Sequence, residues 1–451
     1  MTISKIEIEN FKLFNNQTFK FNDNFNLIVG INGSGKTSLL RAISVALGGW
    51  ANAYIKSDKN LRPIEDTEIR EIQIDNSFDK TKLTSITVHG IANIVDNYSK
   101  SKNGIVTWTR KREEGDTQTL TSCSIQYERP YYGDYSALFP LKLHNLGKNI
   151  LNYIDNGKTF NLPMIAFYEC DRLWLAKNEL NLEDTAKLKH SRFDPYKDCF
   201  HTGADHQAIG EWLLKHELVS MQEGTESPVL KSIQKAAIAA LEDCIGIRFN
   251  FKASRVMVEF KDNIIIPFEH LSDGQRTILG LFCDIARRAA ILNPHLEAEE
   301  SLKLKGVVLI DELDLHLHPR WQRKIIDDLN SVFPNIQFIT TTHSPHIIQS
   351  AKPNEIIVLE KSNNEVQQKE LANNEFGFKG WTVEEILTDI MGMKDTRTDV
   401  FHKTIQQFEK AIEAEDYQLS KTTYEELDKL LHPNNHLRKL LKFDLISIKD
   451  S

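Results

Sequence analysis

A glycine-rich loop that ends in lysine and threonine is the part of this sequence best suited to binding phosphate. Residues 30–37 read GINGSGKT, which fits the pattern G-x-x-x-x-G-K-[ST] in full. The glycines allow backbone N–H groups to surround a polyphosphate, and the N-terminus of the following helix adds positive charge. Lys36 would contact the β- and γ-phosphates, and Thr37 would bind Mg²⁺. We predict a nucleotide site formed by Gly30, Asn32, Gly33, Ser34, Gly35, Lys36, Thr37 and Ser38. The alternative is a glycine-rich turn that binds nothing.

Two adjacent carboxylates, Asp311 and Glu312, follow a continuous apolar run at residues 307–310. Such a run is typical of a strand buried on both faces, and α/β proteins bind ligands at the carboxyl ends of these strands. Adjacent acids are unfavourable there unless a cation or a substrate compensates their charge. We predict that Asp311 holds Mg²⁺ and that Glu312 polarises an attacking water molecule. The alternative is a purely structural pair of acids.

A histidine, His343, follows a segment at residues 336–341 that reads as a second strand. The intervening residues 319–332 have helical periodicity, so the segments form a βαβ unit in which Glu312 and His343 end neighbouring strands. A histidine at this position can hydrogen-bond a γ-phosphate, which makes it the third predicted catalytic residue beside Lys36 and Glu312. The alternative is a capping histidine before a proline.

The elements that must position these residues follow from the hydrophobic pattern. Residues 5–21, KIEIENFKLFNNQTFKF, predict two strands joined by a polar turn. In this hairpin Lys12 and Phe14 either approach the nucleotide or form an ordinary cross-strand pair. A short apolar strand precedes the glycine-rich loop and a helical run follows it. Alternating segments such as TSITVHGIAN and GIVTWTRKREEGD predict further strands, followed by helices.

The last part of the chain reads as short amphipathic helices. Apolar residues recur there at helical spacing, at Phe401, Ile405, Phe408 and Ile412 and again at Leu437, Leu440 and Leu441. Such stripes usually form a core, although helices added to a finished fold are also suited to docking a partner. We expect four segments: a first lobe at 1–165, a helical insertion at 166–250, a second lobe at 251–362, and a partner-binding extension at 363–451.

Composition sets limits on the class of protein. The chain has 451 residues and a formal net charge of −8, which disfavours a dedicated nucleic-acid coat but permits a local basic groove. Five scattered cysteines without metal-ligand spacing predict a reducing, cytoplasmic environment. His316 and His318 do not indicate zinc because no third ligand lies at a suitable spacing, and we expect their loop to contact a partner subunit. We find neither a signal peptide nor a membrane span, and expect no membrane contact.

With LSDGQ at residues 271–275, these motifs resemble the ATP-binding-cassette ATPases, and KIEIENFKLF and IDELDLHLHP favour the SMC-like branch. The resemblance covers roughly residues 1–360. It implies an α/β fold with an ABC-type P-loop ATPase head, in which helices flank a mixed sheet and the N-terminal lobe is antiparallel. A short helical insertion and a helical C-terminal extension complete this fold. No heptad repeat indicates a long coiled coil.

In that family the LSDGQ-like segment of one subunit caps the ATP held by another. The resemblance therefore implies a head-to-tail homodimer, or a higher homo-oligomer, with Ser272, Gly274 and Gln275 contacting the γ-phosphate. Asp273 replaces a glycine that is usual in transporters. An aspartate near a phosphate is repulsive unless it points away.

A further resemblance is to the PtuA family, the ATPase subunits of Septu-type anti-phage defence systems, some of which accompany retrons. The segments that carry it include LSDGQRTILGLFCDIARRAAILNP, WQRKIIDDLNSVFPNIQFITTTHSPHII and PMIAFYECDRLW. In this family the ATPase works with a separate HNH nuclease, PtuB, and a retron would add a reverse transcriptase with its single-stranded DNA. The segment FYECDRLW departs from the expected tyrosine-glycine pair before Arg172. Arg172 is thus either a phosphate or inter-subunit contact or a plain salt bridge.

The resemblance implies an ATP-hydrolysing subunit whose nucleotide state regulates the nuclease, and which has no nuclease activity of its own. One alternative is a RecF-like DNA-repair ATPase that clamps duplex DNA, for which residues 110–112, Arg-Lys-Arg, offer a basic contact or a solvated hairpin end. Another is a scaffold that holds ATP with little hydrolysis. DNA-stimulated hydrolysis and the hydrolysis rate distinguish these alternatives.

Overall fold

The computed structural model describes residues 1–55, 61–74, 77–95, 101–126, 139–141, 143–170, 191–200, 206–362, 365–371 and 376–448. The chain forms two compact units, Met1–Val383 and Glu384–Ser451. Arg172 lies outside the described residues. Within the described ranges, no helix combines the length and the apolar character needed to cross a membrane. The predicted boundaries at residues 165, 250 and 362 stay predictions.

The described residues of the first unit include seventeen strands. They are β1 (Thr2–Phe11), β2 (Phe14–Lys20), β3 (Phe25–Gly30), β4 (Glu71–Ile74), β5 (Ser77–Lys80), β6 (Leu83–Val95), β7 (Ser101–Glu113), β8 (Leu120–Gln126), β9 (Phe139–Leu141), β10 (Met164–Tyr168), β11 (Cys244–Asn250), β12 (Arg255–Phe260), β13 (Ile264–Pro267), β14 (Gly306–Ile310), β15 (Ile336–Thr341), β16 (Ile356–Ser362) and β17 (Glu365–Lys369).

Helices cover the sheets and form the second unit. They are α1 (Lys36–Tyr54), α2 (Leu143–Asp155), α3 (Asp194–Lys197), α4 (His206–Glu223), α5 (Pro228–Ala240), α6 (Asp273–Leu292), α7 (Ala298–Leu302), α8 (Pro319–Gln322), α9 (Ile325–Val332), α10 (Pro345–Ser350), α11 (Asp399–Glu413), α12 (Tyr417–Leu430) and α13 (Leu437–Ser447). Shorter helical turns lie at Asp66–Glu68, Lys261–Asn263, Phe268–His270, Pro353–Glu355, Val383–Glu385 and Ile386–Ile390, the last of these a π-helix.

A mixed sheet with the order β10-β14-β15-β3-β16-β17 carries the predicted site. All its strands run parallel except β17, which pairs antiparallel with β16 at one edge. Strands β3, β10, β14 and β15 are buried at every position, as the continuous apolar sequence of β14 predicts for that strand. Because β14 and β15 are parallel neighbours, their carboxyl ends meet at one edge of the sheet.

An antiparallel sheet with the order β2-β1-β6-β7-β8-β9 packs on α1. Its Trp108 indole donates to the carbonyl of Ala46, at 2.9 Å, and meets the Trp50 ring edge-on. This sheet confirms the predicted hairpin at residues 5–21 and the alternating strands after it. Smaller sheets pair β11, β12 and β13, and β4 with β5. The mixed α/β fold with an antiparallel N-terminal lobe is therefore confirmed.

Arg110, the first residue of the basic segment at residues 110–112, is neither at a solvated hairpin end nor open to contact with DNA. Arg110 is fully buried and donates to the carbonyl of Arg62, at 2.9 Å. Lys111 pairs with Glu113, and Arg112 donates to the Ile64 carbonyl, at 2.7 Å. Alternation on β7 turns Arg110 into the core, so the sequence expectation for this residue was wrong.

The helix predicted at residues 319–332 is divided into α8 and α9. The carbonyl of Arg323 accepts a hydrogen bond from the Ser350 hydroxyl of α10, at 2.9 Å. A hydroxyl from a neighbouring helix thus bonds the backbone at the junction of α8 and α9, and helical periodicity does not reveal such a long-range contact.

The second unit has a small core of its own. Its buried members are Phe401, Phe408, Leu427, Leu431, Leu441 and Leu445. The predicted stripe residues Ile405, Ile412 and Leu437 pack against this core as partly buried side chains. Leu440, however, is 57% exposed, so its assignment to the stripe was wrong. Leu441 and Leu445 lie one turn apart on α13 and face the core of the second unit, so Leu440 points outward.

Candidate functional site

The glycine-rich loop adopts a conformation that its glycines make possible. Gly35 caps the N-terminus of α1 with a φ of 92°, in the left-handed region that glycine enters without strain. At Gly30 a Cβ atom would lie 2.3 Å from the carbonyl oxygen of Leu359, so a side chain has no room there. Asn32 and Gly33 are exposed at the loop surface, Ser34 is buried, and Ser38 is half-buried in the first turn of α1.

The Lys36 side chain folds back and hydrogen-bonds to the backbone at the start of the glycine-rich loop. Its ammonium group donates to the carbonyls of Gly30, at 2.9 Å, and Ile31, at 3.1 Å. Burial lowers the pKa of Lys36, while Asp311 and Glu312 act in the opposite direction. The Ser34 hydroxyl is buried and has no hydrogen-bond partner among the described residues. The loop therefore holds a cation and an unused hydroxyl where phosphate oxygens would lie.

The two predicted metal ligands meet across the sheet edge. Thr37, which is exposed, places its hydroxyl 3.0 Å from Oδ2 of the buried Asp311. Neighbouring ligands of an octahedral Mg²⁺, with Mg–O distances of about 2.1 Å, lie about 3 Å apart. The spacing and the hard oxygen donors thus fit Mg²⁺, which Thr37 and Asp311 would hold.

Thr341, at the end of β15, fixes both acids. Its hydroxyl donates to Oδ1 of Asp311, at 2.5 Å, and accepts from the backbone N–H of Glu312, at 2.7 Å. Glu312 has a φ of 51°, a strained value for a residue with a side chain, and such strain persists only where surrounding bonds impose it. Sequence reasoning missed Thr341. The run of three threonines before the histidine in TTTHSP was the available signal.

His343 is brought to the same edge by Asp314, a second residue that sequence reasoning missed. One Asp314 oxygen accepts from the Thr342 hydroxyl, at 2.6 Å, and from the backbone N–H of His343, at 3.0 Å. Burial and the nearby Lys36 ammonium lower the pKa of His343, while Asp314 and Glu312 raise it. The net lowering favours a neutral imidazole. The structure thus places Lys36, Asp311, Glu312 and His343 at one edge of the sheet.

Residues 271–275, here termed the signature segment, begin α6. Ser272 caps the helix in a capping box, and Oε1 of Gln275 accepts from the Ser272 N–H, at 3.1 Å, and hydroxyl, at 2.9 Å. Asp273 pairs with Arg276, which neutralises its charge within the same turn. Ser272 and Asp273 are exposed. The hydrogen bonds that the structure gives for the signature segment are local, and its predicted contact with a nucleotide held by another chain stays a prediction.

Gly274 also has a role within its own chain. A Cβ atom there would lie 2.5 Å from the carbonyl oxygen of His316 and 3.0 Å from the Trp321 ring. The start of α6 therefore rests on the loop that follows Glu312. His318 in this loop is exposed and caps α8 by accepting from the Arg320 N–H, at 3.3 Å.

The N-terminal hairpin reaches the glycine-rich loop through Phe14. Its ring lies 3.2 Å from the position that a Cβ of Gly35 would occupy, and it pairs across the hairpin with Phe11. Lys12 is half-buried, and its backbone N–H donates to the Glu68 carbonyl, at 2.8 Å. Burial, followed by the charge of Arg41, lowers the pKa of Lys12. Phe14 is thus both a cross-strand partner and a wall of the loop.

Comparison with known protein families matches this arrangement. A family described as "AAA domain" covers residues 5–243, more than half of the chain. The chain belongs to this AAA domain family. A second family, "AAA domain, putative AbiEii toxin, Type IV TA system", matches residues 143–349. Membership indicates a nucleotide-binding ATPase domain, so the predicted P-loop ATPase fold is confirmed.

Similar proteins with curated descriptions include the Septu protein PtuA of Bacillus thuringiensis, 29% identical over 99% of this chain and 98% of that protein. The retron Vc95 probable ATPase of Vibrio cholerae serotype O1 biovar El Tor is 27% identical over 83% of this chain and 77% of its own length. The retron Ec83 probable ATPase of Escherichia coli is 24% identical over 92% and 81%. The predicted resemblance to PtuA is confirmed.

Among solved structures, an SMC head bound to the C-terminal winged-helix domain of ScpA has a TM-score of 0.48 and 15% identity, over 82% of this chain and 98% of that chain. An SMC head domain from Thermotoga maritima has a TM-score of 0.43 and 13% identity, over 83% and 100%.

Proposed function

We propose that this protein binds ATP with Mg²⁺ and hydrolyses its γ-phosphate bond. The observation that carries the proposal is the joint placement of Thr37, Asp311 and Thr341 at the mouth of the glycine-rich loop. Mg²⁺ held between Thr37 and Asp311 would neutralise charge on the phosphate oxygens. The loop amides from Gly30 to Ser38, together with the Asn32 and Ser34 side chains, line the phosphate path.

Four side chains have distinct roles in the proposed hydrolysis. Glu312 accepts a hydrogen bond from the attacking water and aligns it with the γ-phosphorus. The Lys36 ammonium exchanges its carbonyl partners for γ-phosphate oxygens and stabilises the charge that develops there. His343, held neutral by burial, donates from its imidazole N–H to the γ-phosphate and senses its departure. The Thr341 hydroxyl keeps the two acids in place during the reaction.

A second copy of the chain completes the site. The exposed Ser272, together with the N–H groups at Gly274 and Gln275, forms a helix start that suits an anion. The Asp273–Arg276 pair supports this role, because it removes the repulsion that a free aspartate would exert on phosphate. The assembly is therefore a head-to-tail homodimer, or a higher oligomer built from it, with two ATP molecules between heads.

In the cell the protein acts as the ATPase subunit of a cytoplasmic anti-phage defence complex. Full-length similarity to the Septu protein PtuA, and similarity to retron ATPases, supports this assignment. The nucleotide state regulates a separate HNH nuclease of the PtuB type, and ATP depletion or turnover frees its activity. The chain contributes no nuclease chemistry itself. The helices of Glu384–Ser451 dock the nuclease, and a retron reverse transcriptase with its single-stranded DNA is a further partner class.

Co-purification with the product of the adjacent gene tests this proposal. Wild type and Glu312→Gln are sized with and without ATP, because the variant should bind nucleotide but arrest hydrolysis. We expect a stable complex with a nuclease whose size changes with nucleotide and stays in the ATP form in the variant. A chain lacking residues 384–451 should lose the nuclease yet still hydrolyse ATP. Retention of the nuclease would disprove docking through the second unit.

A duplex-DNA clamp is the alternative outcome of the same experiment. It predicts a lone dimer whose DNA affinity depends on ATP and falls steeply with salt. The burial of Arg110 removes part of the basic segment on which that alternative rested. A complex that holds ATP for hours without turnover would instead indicate a scaffold.

A further inference from the structure

Tyr168 joins the sheet edge that carries the site to the helix that carries the signature segment. Its carbonyl accepts from the backbone N–H of Asp311, at 2.8 Å. Its hydroxyl donates to Oδ2 of Asp284, in the middle of α6, at 2.8 Å. One residue therefore touches both the strand end that holds the metal ligand and the helix that begins at Ser272.

Asp284 is the centre of a buried polar network, formed by Tyr168, Asp284, Arg287, Arg288 and Asp198. Oδ2 of Asp284 also accepts from Nε of Arg288, at 2.7 Å, and Oδ1 accepts from Nε of Arg287, at 3.1 Å. The guanidinium of Arg288 then makes two bonds to Asp198, at 2.9 and 3.0 Å. Two acids and two arginines balance their charge inside the first unit.

Burial and neighbouring charges set the protonation of Asp284 and Tyr168 within this network. Burial alone would raise the pKa of Asp284, but Arg288 and Arg287 outweigh it and hold the value at about 2. Burial and the neighbouring Asp284 charge raise the pKa of Tyr168, so the phenol keeps its proton and remains a donor. The Tyr168–Asp284 bond is thus a charge-assisted bond between groups that do not titrate near neutral pH.

Such a network is a weak source of stability, because the loss of hydration of buried charges offsets their attraction. Its contribution is to hold α6 in a fixed position relative to the sheet. From Asp284 to Ser272, α6 spans twelve residues, about 18 Å of continuous helix at about 1.5 Å per residue. Past its first turn, the helix is buried along this length, so a shift at Asp284 moves the helix start as a body. A displacement of the strand end at Asp311 can therefore be transmitted through Tyr168 and α6 to Ser272.

We propose that Tyr168 is a positioning residue that couples nucleotide binding at Asp311 to the placement of the signature segment against the ATP of the partner subunit. The inference rests on the proposed function, because it assigns Ser272 to a nucleotide held by another copy. Tyr168 touches no reacting atom. It acts through Asp284 and α6, so its loss should slow turnover while leaving ATP affinity of the single chain intact.

The test compares Tyr168→Phe with Tyr196→Phe in the full-length protein. Tyr196 is an apt control because it is also fully buried and its hydroxyl also makes one bond, to the Pro163 carbonyl at 2.7 Å. Both variants lose one buried hydrogen bond, but only Tyr168→Phe breaks a link to α6. Steady-state ATP hydrolysis gives kcat and KM, and thermal unfolding reports the loss of stability.

We expect Tyr168→Phe to lower kcat about tenfold, equivalent to about 1.4 kcal/mol, with little change in KM, while Tyr196→Phe keeps a kcat close to wild type. A double-mutant cycle with Ser272→Ala adds a readout that a merely structural role would not move. If Tyr168 acts through the signature segment, its substitution should have much less effect in the Ser272→Ala background. Additive effects, or equal kcat values for the two tyrosine variants, would overturn the inference.

Asp198→Asn gives a second perturbation in case Tyr168→Phe folds poorly. Its side chain is 57% exposed at the outer end of the network, so the substitution leaves the core packing intact. We expect a smaller fall in kcat and the same non-additivity with Ser272→Ala. Additivity here would again overturn the inference. A wild-type protein that does not hydrolyse ATP would instead overturn the proposed function, and with it this inference.

Discussion

Replacing Thr341 by valine removes a single hydroxyl that serves both acids of the site. Valine keeps nearly the same shape at the end of β15, so packing within the sheet is retained. The substitution removes the donor to Asp311, at 2.5 Å, and leaves the Glu312 N–H without its acceptor, at 2.7 Å. Both losses occur at a buried position, where water does not easily replace the missing partner.

The magnitude follows from these two bonds. A hydrogen bond to a charged group contributes about 1.5–3 kcal/mol, and an unsatisfied buried N–H costs about 1–3 kcal/mol. We expect the first unit to lose about 2–4 kcal/mol of its free energy of unfolding, with partial relaxation of Glu312 lowering the sum. Activity should fall further, because Glu312 is no longer held in its left-handed conformation. A fall in kcat of at least about tenfold corresponds to about 1.4 kcal/mol of lost transition-state stabilisation.

Thr340→Val is the matched control. Thr340 precedes Thr341 on the same strand and is equally buried, but among the described residues its hydroxyl makes one long bond, to the Asn26 carbonyl at 3.4 Å. Loss of this hydrogen bond should lower the free energy of unfolding by less than about 1 kcal/mol and leave kcat close to wild type. Chemical unfolding and steady-state hydrolysis, with Mg²⁺ titrated, measure both variants. Equal stability and equal kcat for the two variants would refute the role assigned to Thr341.

Three further predictions follow from the contacts described above. Gly274→Ala should destabilise the first unit by about 1–3 kcal/mol in thermal unfolding, because its Cβ would lie 2.5 Å from the His316 carbonyl; an unchanged melting curve would contradict that contact. Phe408→Ala should cost about 3–5 kcal/mol in the second unit, seen as proteolysis after residue 384 with hydrolysis unchanged. Because burial lowers the pKa of His343, the unfolded chain binds more protons than the folded chain as the pH falls below about 6.5. The free energy of unfolding without nucleotide should therefore decrease as the pH falls through this range. In thermal melts from pH 8 to 5, His343→Asn should reduce this dependence of stability on pH.

Several features could be predicted from the sequence because they depend on local spacing. The pattern at residues 30–37 requires particular backbone angles and a lysine at one position of a helix start, and both are local properties. The strand before Asp311 is fully apolar, which indicates a buried parallel strand whose carboxyl end lies at the edge of the sheet where ligands bind. Helical spacing likewise identified Phe401, Phe408 and Leu441, three of the six buried core residues of the second unit.

The tertiary structure decided which polar side chains support the site. Thr341 and Asp314 act through bonds between strand ends about thirty residues apart, and a hydroxyl in a sequence does not show which acid it will face. Burial reversed the expectation for Arg110, because the face of β7 that packs on α1 depends on strand register and not on charge. The expectation that Leu440 belongs to the apolar stripe was wrong because its side chain is exposed. Leu441 and Leu445 already fill the inner face of the helix.

The sequence by itself determined the chemistry that is available, since residue types and short-range spacing set which groups can bind phosphate, metal and water. Only the tertiary structure decided how these groups are held and coupled. The Tyr168–Asp284 bond joins residues that lie 116 positions apart, and no local pattern specifies that pairing. Long-range pairs of this kind are selected by the packing of α6 against the sheet, because a buried donor and a buried carboxylate must each find a partner there.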